Sequence, residues 1–312
     1  MDAVNELPDF DGSPPLRATD SLLSPEIAAR LGRLALQART LAEARRRGRR
    51  RTRRIGGGSE LIDTRPYSVG DDHRRIAWAA FARLERLLVR LVAEEAPLRL
   101  ALVVDTSGSM RFGAPSKLRQ ATRIAAGLAT VALSGEDRIA AVAGSAEGLS
   151  ALRATGGRGG MARLLALLEG LRPGGQTGLV KAAGATTQVA GGRALCVILS
   201  DLMDPTGALA GAEAARMRGH EVAIVEVLDP FEVDPPELDG IDVEDEETGQ
   251  LVVLPRGARK TYLEALATHR AKVDEGAATL GAAVLRVTTA QPFDAIVRDA
   301  LSAGLLRGGG PR

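Results

Sequence analysis

From residue 98 onward the chain alternates between short, almost continuously apolar runs and longer stretches with helical periodicity. The runs 98–104, 138–143, 195–199, 221–228 and 284–287 have the pattern of strands buried on both faces. Between and after them, 117–133, 161–171, 179–189, 209–218, 260–280 and 293–306 read as helices. This alternation predicts an α/β fold, a doubly wound and mainly parallel sheet flanked by helices over residues 98–306. Ligands bind such sheets beyond the carboxyl ends of the strands. The loops after Val104 and Leu199 are therefore the places to look for chemistry.

Upstream the pattern changes. Residues 1–24 combine Pro8, Pro14 and Pro15 with Asp, Gly and Ser, and are expected to be disordered. Ser24-Pro25-Glu26 reads as a helix start, with Ser24 as N-cap and Pro25 in the first turn. Ile27, Leu31, Leu34, Ala38 and Leu41 follow at helical spacing, and the segment 25–58 runs through an Arg-rich stretch to Gly56-Gly57-Gly58. Residues 59–97 form a distinct block: a strand at 61–65, a turn at 66–72, a helix around 75–83 and a strand at 87–93. An insertion at 229–256 is expected to form a hairpin turning at Glu247-Thr248-Gly249, and 307–312 a flexible tail.

Composition sharpens this outline. The chain has 312 residues, 45% of them apolar but only 3% aromatic, so its core must be built from Leu, Val, Ile and Ala. The net charge of +2 hides a polarised distribution. Residues 45–54 are nearly all Arg, whereas 219–255 hold no Lys or Arg and many Asp and Glu. A single cysteine, Cys196, excludes an intramolecular disulfide and fits a reducing compartment. With no signal-like apolar region at the start and no membrane-length apolar run, the expectation is a soluble cytoplasmic protein.

After the strand ending at Val104 comes Asp105-Thr106-Ser107-Gly108-Ser109, one carboxylate and two hydroxyls along a loop that Gly108 lets bend sharply. After a second core strand comes Ser200-Asp201. Between them, Gly174-Gly175-Gln176-Thr177-Gly178 opens a helix and carries another hydroxyl. Two carboxylates and three hydroxyls form an all-oxygen set, which selects hard cations: Mg²⁺ first, then Mn²⁺ or Ca²⁺. If one carboxylate acts through water, a position stays open for an acidic side chain of a partner protein.

This constellation resembles the metal-ion-dependent adhesion site of von Willebrand factor A-type domains. The resemblance implies that Asp105, Ser107, Ser109, Thr177 and Asp201 form the first and second shells of the metal. The preceding block, with Gly58-Ser59-Glu60-Leu61, Arg65-Pro66-Tyr67, Gly70-Asp71-Asp72, Arg74, Ile76, Trp78 and Ala82-Arg83, resembles the signature of the domain-of-unknown-function-58 family. That family joins such a block to an A-type domain, and the likeness spans roughly residues 45–305. The chain departs from the pattern at Ala77, where Asp usually precedes the Trp, and at Leu61, where Phe is common. The resemblance implies a partner as well: family members often accompany a MoxR-type AAA+ ATPase, in metal-dependent remodelling or maturation of other proteins.

The expected function is therefore a non-enzymatic, metal-dependent protein-binding module. Two other readings exist. Asp105 at a strand end could serve as nucleophile of a metal-assisted phosphohydrolase, although Ser107 stands where a second carboxylate is usual. The Arg run at 45–54 could bind a nucleic-acid backbone, although no aromatic residues are interleaved with it. Trp78 reads as a packing anchor, the Asp and Arg residues of its block as a buried ionic network or a binding group, and Cys196 as inert core.

Overall fold

The computed structural model describes residues 22, 24–52, 61–92, 98–237, 240, 242–244 and 251–302. They fall into two compact units, one drawn from the chain up to Ala38 and from Leu98 onward, the other from Arg39–Pro97. Helix α1 (Pro25–Thr52) begins at Ser24, whose hydroxyl accepts the Ile27 amide. The side chains of the Arg-rich run lie outside the described residues.

In the smaller unit, β1 (Leu61–Pro66) pairs antiparallel with β2 (Leu88–Val92), and α2 (Trp78–Leu84) lies between them in sequence. The helix expected at 75–83 is split. A 3₁₀ turn at His73–Arg75, capped by Asp72, ends before α2 begins. Arg65 grips both carboxylate oxygens of Asp71, at 2.7 and 2.6 Å, and closes the turn between β1 and that cap. Arg65 and Asp71 are accessible to water, so this pair is a surface clamp and not a buried network. Trp78 is 59% exposed and meets Phe81 edge-on, which corrects its reading as a packing anchor. The reason is geometric: a seven-residue helix beside a two-stranded hairpin offers too little apolar surface to cover an indole.

The larger unit is built on six strands, β3 (Arg99–Asp105), β4 (Arg138–Gly144), β5 (Leu149–Thr155), β6 (Leu195–Ser200), β7 (Glu221–Leu228) and β10 (Ala283–Thr288). A short separate pair, β8 (Asp242–Glu244) with β9 (Leu251–Val253), forms the two sides of the acidic hairpin; its turn lies outside the described residues. The strand order is β10-β7-β6-β3-β4-β5, parallel except for β5 at the edge. This is the expected α/β sheet, with one strand that the apolar runs do not reveal. Strand β5 is only partly buried and mixes polar with apolar residues: Leu152 packs on one face of the sheet, Leu149 and Ala154 on the other.

Successive residues of β3 feed opposite cores. Leu102 and Val104 join Leu34 of α1, Leu128 of α3 (Lys117–Ser134), Leu164 of α4 (Gly157–Gly170) and Phe293 of α9 (Phe293–Ser302). Ala101 and Val103 join Ala182 of α5 (Leu179–Ala190), Ala212 of α6 (Pro205–Met217) and Val273 of α8 (Ala258–Leu280). A one-turn helix, α7 (Pro230–Val233), follows β7. Leu22, within the stretch expected to be disordered, is buried in the first core, and its amide donates to Glu169.

From β3 the chain runs outward through β4 and β5, then crosses back to place β6 on the other side of β3. The carboxyl ends of β3 and β6 thus flank the switch point, where the connecting helices leave on opposite faces. The 174–178 loop is stitched over this crevice. Gly108 donates to the Gly175 carbonyl, Gly174 to that of Thr106, and Ala146 to that of Gln176, each at 2.8 Å. Thr177 forms an isolated antiparallel bridge with Ser145. Gly178 has no room for a side chain, because an added Cβ would lie 2.4 Å from the backbone carbonyl carbon of Ser145.

Three outcomes follow from this packing. Leu128→Ala, at a fully buried site, should cost about 2–5 kcal/mol in denaturant unfolding. Cys196 is buried mid-strand, and burial pushes its thiol up to about 12. It should resist maleimide in the native protein and react on unfolding. Gly178→Ala should destabilise by about 1–3 kcal/mol through backbone displacement, with the largest amide shifts in the 174–178 loop.

Candidate metal centre

Asp105 is the last residue of β3, which is hydrogen-bonded to a parallel neighbour on each side. Its carboxylate is therefore held at the middle of the sheet and is 1% exposed. Its Oδ1 accepts the Ser107 amide at 2.9 Å. Its Oδ2 accepts the Ser200 hydroxyl at 2.7 Å and the Thr177 hydroxyl at 3.4 Å. All of these donors are uncharged. Burial raises the Asp105 pKa, the bonds from Ser200 and Ser107 oppose the rise, and the neighbouring Asp201 charge adds to it.

The hydroxyls gather on the open side. Ser107 is buried, while Ser109 and Thr177 are partly exposed, and the Ser107 and Ser109 hydroxyls lie 3.2 Å apart. The 3₁₀ turn Gly108–Arg111 puts them on the same side of the loop. Thr177 arrives from the stitched loop, 72 residues along the chain from Asp105. Four of the residues singled out in the sequence thus meet directly or through one hydrogen bond.

The fifth, Asp201, follows β6 and is 2% exposed. Leu202 after it adopts a left-handed backbone, φ 58°, which costs an L-residue about 1–2 kcal/mol. That bend brings the Leu202 amide to the Ser200 hydroxyl at 3.0 Å and the Met203 amide to Asp201 Oδ1 at 3.2 Å. Asp201 has a charged partner that the sequence reading missed. Lys117, 1% exposed, places its ammonium 2.7 Å from Asp201 Oδ2 and 2.5 Å from Glu232 Oε1. Burial works against the Lys117 charge, but Asp201 and Glu232 outweigh it and hold the pKa above its usual value. Glu232 shifts upward through burial despite the lysine, and its Oε2 accepts the Asp229 amide at 2.7 Å. A signal for Lys117 did exist in the sequence: a lysine at the first residue of a helix, the end where the helix dipole disfavours a cation.

Among the described residues, no group of three or more His, Cys, Asp or Glu side chains is arranged to hold a metal. A site here has to draw on hydroxyls, as the expected set does. The donors fit a hard divalent cation: oxygens only, one carboxylate buried without a charged partner, and hydroxyls on the accessible side. Elsewhere, His220 is a structural residue. Its Nδ1 accepts the Ala194 amide at 3.1 Å, its Nε2 lies 3.0 Å from the Thr187 hydroxyl, and burial lowers its pKa.

Among the described residues, no helix is long and apolar enough to cross a membrane. The chain is 30% identical over 283 residues to an uncharacterized protein of Mycobacterium tuberculosis, with 88% of this chain and 89% of the relative covered. Among solved structures, it is similar to an aerotolerance-related membrane protein from Bacteroides fragilis, at 15% identity and a TM-score of 0.41, over 67% of this chain and 99% of that one. It is also similar to the SpRpn10 VWA domain, at 10% identity and a TM-score of 0.40, over 65% of this chain and 95% of that domain. The model of one family, described as protein of unknown function DUF58, matches residues 63–272. Since that match covers most of the chain and the mycobacterial relative aligns over nearly its whole length, the chain belongs to the DUF58 family.

Proposed function

We propose that this protein is a non-enzymatic binding module in which Asp105, Ser107, Ser109, Thr177 and Asp201 hold one divalent cation, Mg²⁺ by preference, and a partner protein contributes an acidic side chain to it. Mn²⁺ and Ca²⁺ suit the same oxygen donors. The observation that supports this reading best is the Asp105 carboxylate, buried at the sheet's centre with only uncharged donors around it. A buried carboxylate of this kind is costly unless a positive charge joins it. A bound divalent ion supplies that charge and an electrophilic centre for a further oxygen ligand. Asp105 anchors, Ser107, Ser109 and Thr177 offer hydroxyls from the accessible side, and Asp201, tied to Lys117, faces the ion with part of its charge already offset. The family resemblance makes a MoxR-type AAA+ ATPase, or the client it acts on, the proposed partner.

Divalent ion at a hundredfold excess over Kd should stabilise the native protein by about 2.7 kcal/mol, read as a rise in Tm of a few degrees that chelator reverses. Asp105→Ala should abolish that rise and the Mg²⁺-dependent capture of the ATPase. In chelator the variant should still fold, because losing a desolvated carboxylate offsets part of the cost of the Ser107, Ser200 and Thr177 donors left without an acceptor. Capture that persists in chelator, or in Asp105→Ala, would remove the metal from the mechanism.

A further inference from the structure

We propose that Lys117 is the positioning residue of this centre: its ammonium occupies Asp201 Oδ2, keeps that carboxylate from ligating the ion directly, and so preserves a place for a partner's carboxylate. The inference rests on the metal-binding reading above and concerns how the site stays open once an ion is there.

The two carboxylates of the proposed ligand set are treated differently. Asp105 is bonded by an amide and two hydroxyls. Asp201 has one oxygen on the Met203 amide and the other on a fully buried ammonium. A cation beside a site built for a cation is a cost, since it repels the incoming ion. Lys117 also sits at the first residue of α3, where the helix dipole opposes it, and it has no contact with water. Stability does not account for such a residue, because a buried ion pair is often matched or bettered by apolar side chains of similar volume.

Glu232 explains how the lysine is kept in place. One of its oxygens holds the ammonium at 2.5 Å, and the other is fixed by the Asp229 amide within the capping box of α7. The ammonium cannot follow one carboxylate without leaving the other. Asp201, Glu232 and Lys117 together carry one net negative charge, and Asp105 brings the site to two, the charge a divalent ion balances. Asp201 is thus held in orientation by its two donors, with one oxygen already taken by the ammonium, which favours contact through water over direct ligation.

Mn²⁺ binding is measured by calorimetry, and the waters left on the ion by water-proton relaxation, for the native chain, Glu232→Gln and Lys117→Met/Glu232→Gln. The double variant removes the ammonium together with the Glu232 charge, so that Asp201 keeps only the Met203 amide and is free to turn to the ion. It should bind Mn²⁺ about tenfold more tightly, since the nearer, repulsive charge is the one lost, and retain fewer exchangeable waters as Asp201 enters the shell. Glu232→Gln alone leaves the ammonium with Asp201 as its one carboxylate partner and makes the site one charge less negative, so it should weaken Mn²⁺ binding. A folded double variant with unchanged or weaker affinity overturns the role of Lys117 while leaving the metal reading intact. If the double variant does not fold, unchanged affinity in Glu232→Gln overturns it instead. A native chain that binds no Mn²⁺ overturns both readings together.

Discussion

The burial of one carboxylate at the centre of a parallel sheet constrains everything around the candidate site. Asp105 cannot move: it ends a strand bonded on both sides, and the core alternation of Leu102, Val103 and Val104 fixes which way it emerges. Every neighbouring loop is shaped to supply it with donors. The Ser107 amide turns back to it, the Ser200 hydroxyl reaches across from the adjacent strand, and the stitched 174–178 loop delivers Thr177. Uncharged donors soften the desolvation of an anion without cancelling its charge. The fold thus creates a fixed demand for a cation and leaves its accessible side lined with hydroxyls.

The sheet can carry this demand because both of its faces are covered by closely packed, mainly aliphatic side chains. Small residues make that density possible. Ala182, Ala183 and Ala212 let α5 and α6 lie close to the strands, and Gly127 brings α3 so near α9 that an added Cβ would meet Val297 at 2.7 Å. A composition poor in aromatics builds its core by close approach of backbones, with few bulky fillers. That rigidity holds the loop ends in register across the switch point.

Much of this was legible in the sequence, for physical reasons that also explain the gaps. Continuous apolar runs mark strands covered on both faces, so β3, β4, β6 and β7 stand out, whereas edge strand β5 is only partly buried, carries Ser150 and Arg153 in its run, and does not. The oxygen-bearing side chains were readable because each follows a strand or a glycine-rich turn, and topology alone gathers such loops. Their partners were not. Lys117 and Glu232 lie 115 residues apart, and no short motif links them. Trp78 shows the reverse failure, since residue type suggests burial but the small unit lacks the surface to provide it.

Lys117 also changes how the centre relates to the rest of the larger unit. Glu232, which holds the lysine, belongs to the one-turn helix that leads into the acidic insertion. Its backbone carbonyl accepts the Tyr262 hydroxyl of α8 at 2.7 Å, and Arg259 of the same helix bonds Asp234 and the Pro235 carbonyl, each at 2.6 Å. Asp229, at the start of that turn, takes the Thr289 hydroxyl beyond β10 at 2.6 Å. The segment between β7 and the β8–β9 hairpin is therefore clamped on one side by the lysine at the candidate centre and on the other by α8 and the end of β10. The buried lysine, shared between two carboxylates, thus joins the candidate centre to the start of that segment through one charge cluster.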